Sequence, residues 1–293
     1  LVEIRDGDAA GRGECMPYAH YGESVPAVIA DIEALRGAIA DGLDRAGLGS
    51  ALPPGAARNA VDCALWDLKG KALGTPIYNL IGGKSRDHIR VYASSLVRGM
   101  APAEEARRVA HFRDQGFSGY KMHSAIAGKI DDPADQTVET VKAIRKEAGY
   151  DIDVLVDVNG AYSVHHAIEI GRELQDLGVF HFEEPVHIRN LEGMALIADA
   201  LDMPIASGEN AFTRWDHLKL ITEGRPDIVQ PDVVKVGGIT EFLRIEAVLT
   251  AHGATITVHN TQPYGSTAAH AHLISLENFA RLMDAASTGT AQA

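Results

Sequence analysis

From Ile89 onward, short runs rich in β-branched residues alternate with amphipathic stretches of helical length, and no other feature of this 293-residue chain restricts its fold as much. Such alternation builds βαβ units around a parallel sheet. Eight strands are expected, at 89–94, 119–123, 153–159, 180–184, 204–209, 228–232, 254–259 and 279–284. Helices are expected between them at 102–115, 134–147, 164–177, 191–201, 213–222 and 240–252. Gly116, Gly149, Gly178 and Gly253 stand where helix C-caps are needed. Eight such units predict closure into a TIM-type barrel. An open doubly wound sheet would require a Gly-x-Gly-x-x-Gly turn after its first strand, and the sequence has none.

The first 86 residues follow a different pattern: a short strand, a Pro/Gly/Tyr-rich loop at 16–24, a helix from Val25 to Ala46 and a second helix near 55–73 after Pro53 and Pro54. Residues 82–88, GGKSRDH, form a polar link. The expected organisation is an α+β domain over 1–86 and a barrel over 87–293. The opening LVEIRDGDAAGRGE reads like the middle of a domain, so some N-terminal sequence is expected to be missing.

The chain is 46% hydrophobic and 23% charged, ordinary for a globular protein with a full core. Its net charge of −13, without a basic cluster, would repel nucleic acid. Cys15 and Cys63 form no Cys-x-x-Cys pair, which argues against a zinc ribbon or a disulfide framework and suits a reducing compartment. No run approaches the ~18 apolar residues of a membrane span, and the start does not resemble a signal peptide. A cytoplasmic homo-oligomer, independent of nucleic acid and membrane, is the default expectation.

Barrel enzymes carry their functional groups at the C-terminal ends of the strands. In this chain those ends are polar: Lys121 and His123, Asp157 and Asn159, Glu183 and Glu184, Glu209, Asp232, His259, Asp284. Asp157, Glu183 and Glu209 end three consecutive strands, so closure would gather three carboxylates at the barrel mouth. Three hard oxygen donors without Cys or His suit one Mg²⁺. Any single carboxylate is as readily a helix cap; all three at successive ends point to a metal site. Lys121 and His123, two residues apart on a strand, face the same side, as a base or an electrostatic clamp. Asp232 and His259 end neighbouring strands, where a hydrogen bond would fix the imidazole tautomer and raise its basicity. His165, His166, His270 and His272 fall in helical patterns and receive no role.

The run VDVNG (156–160), FEEP (182–185), SGEN (207–210), PDVVKVGG (231–238) and VHN (258–260) resembles the barrel of the mandelate racemase subgroup of the enolase superfamily. That resemblance implies a (β/α)7β barrel with a capping domain, one Mg²⁺ on Asp157, Glu183 and Glu209, and a general-base dyad of Asp232 and His259. Asp284 falls where mandelate racemase has a glutamate bound to the substrate carboxylate. Lys121 matches the first lysine of a Lys-x-Lys motif whose second lysine is replaced here by His123. The N-terminal segments 14–24 and 53–74 are similar to dipeptide epimerases, but those enzymes have a lysine where this chain has Asp232. Tyr18, His20, Tyr21 and Asn159 are candidate substrate contacts; the aromatic loop equally suits packing at the domain interface. The expected chemistry is removal of the proton next to the carboxylate of a small substrate. Dehydration of an acid sugar to a 2-keto-3-deoxy acid is favoured, racemisation or epimerisation stands second, and a non-catalytic metal-binding scaffold is the remote third.

Overall fold

A computed structural model of the chain describes residues 1–19, 22–125, 128–260 and 265–275, together with the backbone of 282–287. Its contacts form two compact units. Unit 1 comprises Leu1–Ile89, Glu209–Leu218 and Pro231–Arg281; unit 2 comprises Arg90–Gly208, Lys219–Gln230 and Leu282–Ala293.

Unit 1 begins with an antiparallel hairpin, β1 (Val2–Asp6) and β2 (Ala9–Gly13), where a single strand was expected. The stretch expected as one helix to Ala46 is broken into α1 (Val25–Ala34), α2 (Arg36–Ala40) and α3 (Arg45–Ala51). Gly42 at φ 89° ends the second piece, and the Asp44 carboxylate starts the third by accepting from the Gly47 N–H. Helix signals inside an apolar stretch therefore outweigh its continuous periodicity. The helix α4 (Ala56–Ala72) lies directly on β2. Only glycine permits this approach, because a Cβ on Gly13 would stand 2.0 Å from the Ala60 carbonyl oxygen. The short α5 (Ile77–Leu80) follows.

Among the described residues, unit 2 contains seven parallel strands in the order β10-β3-β4-β5-β6-β7-β8. They are β3 (Arg90–Ser95), β4 (Gly119–His123), β5 (Asp153–Asp157), β6 (His181–Glu183), β7 (Ile205–Ser207), β8 (Ile228–Val229) and β10 (Leu282–Ser287). Four helices alternate with them: α6 (Pro102–Asp114), α7 (Thr137–Ala148), α8 (Val164–Asp176) and α9 (Leu191–Ala200). Ser163 and Asn190 cap the last two by accepting from the N–H groups of His166 and Gly193. Val154, Leu155 and Val156 are fully buried, each contributing ~1.5–3 kcal/mol relative to exposure.

Strand ends differ from the sequence expectation for local reasons. β5 stops at Asp157 because Asn159 has φ 45°, and β8 stops at Val229, before Pro231, which has no N–H to offer. The helix expected at 213–222 is α10 (Arg214–Lys219), continued by a π-turn over Leu220–Gly224 and ended by Arg225 at φ 51°.

The remaining elements belong to unit 1: α11 (Val233–Val236), α12 (Ile239–Ala251), β9 (Thr255–Ile256) and α13 (Gly265–Ile274). α4 grips the α11–α12 junction. Arg58 donates to the Val236 carbonyl at 2.9 Å, Asp62 accepts from the Thr240 N–H at 2.9 Å, and the Trp66 indole donates to the Thr240 hydroxyl at 3.0 Å. Cys15 and Cys63 are free thiols. Among the described residues, no helix is long and apolar enough to cross a membrane.

Candidate active site

In unit 2, register decides which side chains meet. His123 pairs with Asp157 and Asp157 with Glu183, so these three stand level on one face of β4, β5 and β6. One step earlier, Lys121, Leu155 and His181 form the layer beneath. Lys121 is 1% exposed and donates to Glu183 Oε1 at 2.8 Å, with Asp157 Oδ2 at 3.7 Å. His123 Nε2 lies 3.0 Å from Asp157 Oδ2, and its Nδ1 donates to the Ser95 carbonyl. Asn159 turns its backbone N–H onto Asp157 Oδ1 at 2.8 Å, and Arg98 donates to the Asn159 side-chain oxygen. Two fully buried carboxylates thus face one fixed positive charge, Lys121. Buried uncompensated charge costs several kcal/mol, so this arrangement favours a further cation.

In unit 1, Glu209 follows β7 by two residues and is held from two sides. Lys235 reaches its Oε1 at 2.9 Å and His259 Nε2 its Oε2 at 2.9 Å. His259 Nδ1 donates to Asp232 Oδ2 at 2.7 Å, while Asp232 Oδ1 accepts from the Val234 N–H at 2.8 Å. Asp232 is therefore both the cap of α11 and the partner of the imidazole. Burial by itself lowers the pKa of His259, but the Glu209 and Asp232 carboxylates outweigh it and push the group up to about 10. Burial works to raise Asp232, yet the His259 hydrogen bond and charge hold it below the usual carboxylate range. His270 is fully buried behind this pair: its Nδ1 donates to the Ser266 carbonyl and its Nε2 accepts from the Val233 N–H at 3.0 Å. Burial keeps its pKa low, in agreement with a neutral ring.

Tyr18 lines a 330 Å³ cavity with Met16, Pro53, Phe212 and Lys235, its ring 5.6 Å from the Lys235 ammonium. His20 and Tyr21 lie outside the described residues. Asp284 lies on β10 opposite Tyr92 by backbone register, and its side chain is outside the described part. Lys235, Gln230 and His181 contact these groups without having been singled out from the sequence, and His270, given no role there, packs behind the dyad on the Val233 N–H. Lys235 was legible in principle, since it falls one helical turn after Asp232 and so shares its face.

Residues 103–289 match the family described as Enolase C-terminal domain-like, and residues 1–82 match the mandelate racemase/muconate lactonizing enzyme N-terminal domain. Arabinonate dehydratase of Saccharolobus solfataricus is 36% identical over 203 residues, covering 69% of this chain and 53% of that protein. The chain spans about half the length of the curated relatives it matches. The 3,6-anhydro-D-galactonate cycloisomerase of Zobellia galactanivorans superposes with a TM-score of 0.84 at 26% identity, over 99% of this chain and 82% of that one. A mandelate racemase/muconate lactonizing protein from Paracoccus denitrificans, complexed with magnesium, superposes with a TM-score of 0.77 at 30% identity, over 96% and 80%. The chain belongs to the mandelate racemase/muconate lactonizing enzyme family of the enolase superfamily, whose fold is a TIM-type barrel with an N-terminal α+β capping domain.

Proposed function

We infer that this protein removes the proton next to the carboxylate of an acid sugar and expels the neighbouring hydroxyl, giving a 2-keto-3-deoxy acid. The observation that carries the reading is His259, an imidazole fixed by Asp232 at 2.7 Å and aimed through Nε2 at the Glu209 carboxylate. An aldonate dehydratase among the relatives agrees with it.

Asp157, Glu183 and Glu209 are proposed to hold one Mg²⁺. The donor set fits: all three are buried carboxylates, with no thiolate or imidazole among them, as a hard cation requires. When bound, Mg²⁺ supplies a Lewis acid for the substrate carboxylate and for the charge that develops on it. Were Glu209 a metal ligand, it would no longer hold the second proton of His259, and Nε2 would be free to act as the base. Asp232 keeps the proton of Nδ1 in place throughout. His259 then takes the proton from the carbon next to the carboxylate. The C–O bond at the following carbon breaks as its hydroxyl takes a proton and leaves as water, and the resulting enol ketonises. Lys121 and His123, fixed by Glu183 and by the Ser95 carbonyl, are the other proton carriers of the site.

The second reading, racemisation or epimerisation, draws on that second set of proton carriers, since inversion needs one group to remove the proton and another to return it. Turnover of an aldonate and aldarate panel in deuterated water separates the two. Dehydration yields keto acid with little inverted substrate in the recovered pool. Inverted, deuterated substrate without keto acid would promote the second reading.

A further inference from the structure

Glu183 divides its two oxygens between different partners. Oε1 accepts from Lys121, while Oε2 accepts from the Gln230 amide nitrogen at 2.9 Å and stands 3.3 Å from His181 Nε2. Gln230 and His181 are almost fully buried, at 0% and 1% exposure, and each leaves its other polar atom without a partner among the described residues. These atoms are Gln230 Oε1 and His181 Nδ1. A buried polar atom without a partner is destabilising, and an apolar side chain of similar size would avoid it. What both residues gain is the same contact, a donor on Glu183 Oε2.

The backbone is built to deliver Gln230 there. Its N–H is pinned to the Ser207 carbonyl at 2.9 Å, one residue beyond the end of β8. Gly208, at φ 129°, leaves room for this approach, because a Cβ there would stand 3.0 Å from the Gln230 nitrogen. His181 comes from the layer beneath Glu183 on the same strand, two residues earlier and facing the same way. A residue of β6 and one just past the end of β8 thus aim donors at one carboxylate oxygen.

We propose that Gln230 and His181 are positioning residues that clamp Glu183 Oε2, so that the carboxylate, with Lys121 on its other oxygen, is already held in a fixed orientation and would lose little rotational entropy on taking a metal ion. This rests on the reading of Glu183 as an Mg²⁺ ligand. Outer partners of metal ligands typically change affinity by about 10–100-fold when removed. Gln230→Leu and, separately, His181→Leu remove the donor and the unpaired atom together at similar volume.

The test is Mg²⁺ affinity by calorimetry on the purified full chain, with the thermal midpoint measured in chelator. The expected result for Gln230→Leu is Mg²⁺ binding weakened by about 10-fold or more. Its metal-free midpoint should shift by less than about 4 °C, since a lost charged hydrogen bond is set against a removed unpaired oxygen. A merely structural glutamine would give the opposite pattern, a lower metal-free midpoint with unchanged affinity. Should Gln230→Leu fail to fold, His181→Leu makes the same measurement, and His181→Gln, which keeps a donor of similar reach, should restore affinity. Folded variants that bind Mg²⁺ within about threefold of the parent overturn the clamp, the threshold lying well inside the expected range. A parent protein that itself binds no Mg²⁺ instead overturns the metal reading on which the clamp stands.

Discussion

His217 provides a quantitative test of how this chain balances burial against charge. It lies in α10, fully buried, with Nδ1 donating to the Thr213 carbonyl at 2.9 Å and Nε2 without a partner among the described residues. Burial disfavours the imidazolium, and the Thr213 carbonyl with the Asp216 and Glu241 charges recovers only part of that cost, so the group is held down to about 4. In the unfolded chain the same ring titrates near 6.5. A histidine with a lowered folded pKa is neutral in both states above pH 6.5 and costs nothing there. Below it, the unfolded state takes up a proton that the folded state refuses, and stability falls until the folded pKa is reached. Between pH 7.5 and 4.5 this one group accounts for a loss of about 2.5 kcal/mol. His217→Asn retains a donor toward Thr213 but cannot titrate. Urea unfolding at both pH values, followed by the fluorescence of Trp66 and Trp215, should show the parent losing about 2.5 kcal/mol more than the variant. A constant offset between the two proteins, whatever its size, belongs to the volume change; parallel pH profiles would refute the argument.

Three further outcomes follow from contacts described above. His259→Asn keeps the size of the ring but cannot accept the substrate proton, so turnover should fall by about 10²–10⁴-fold in a steady-state assay while Mg²⁺ affinity persists. Lys121→Met removes the fixed cation beside Asp157 and Glu183. The metal-free protein should lose about 3–5 kcal/mol, and added Mg²⁺ should raise the midpoint of the variant more than that of the parent in a thermal-shift measurement. Gly13→Ala places a methyl against the Ala60 carbonyl and must push β2 off α4, costing about 3 kcal/mol or more by urea unfolding, with no change in Mg²⁺ affinity.

Much of the barrel portion was legible because two periodicities coincide in it. Strands such as Asp153–Asp157 have an apolar middle, Val154–Val156, and the acidic residue at the C-terminal end marks both where the strand stops and where chemistry is expected. Period-two spacing likewise anticipated that Lys121 and His123 share a face, and in the structure the two reach the same Asp157 oxygen, at 3.7 and 3.0 Å. The N-terminal helices were less legible. Between Val25 and Ala46 the apolar pattern favours one helix, but the chain breaks at Leu35 and again between Ala40 and Arg45, where Gly42 in the left-handed region and the Asp44 side-chain cap separate α2 from α3.

Residues whose role depends on a partner far away in sequence were hardest to read. Gln230 is two positions before Asp232, in a run already marked by its acidic residue, yet it contacts Glu183, which is 47 residues away. His270 has the spacing of an ordinary helical histidine, and only the fold brings its Nε2 to the Val233 N–H, 37 residues away. Each makes one buried hydrogen bond to a residue distant in sequence, and local sequence carries no trace of a bond made between separate elements. Groups that carry charge to a strand end can therefore be found by pattern alone. The neutral groups that hold them in place become visible only when every buried donor and acceptor is asked for its partner, and that is how Gln230, His181 and His270 emerge here.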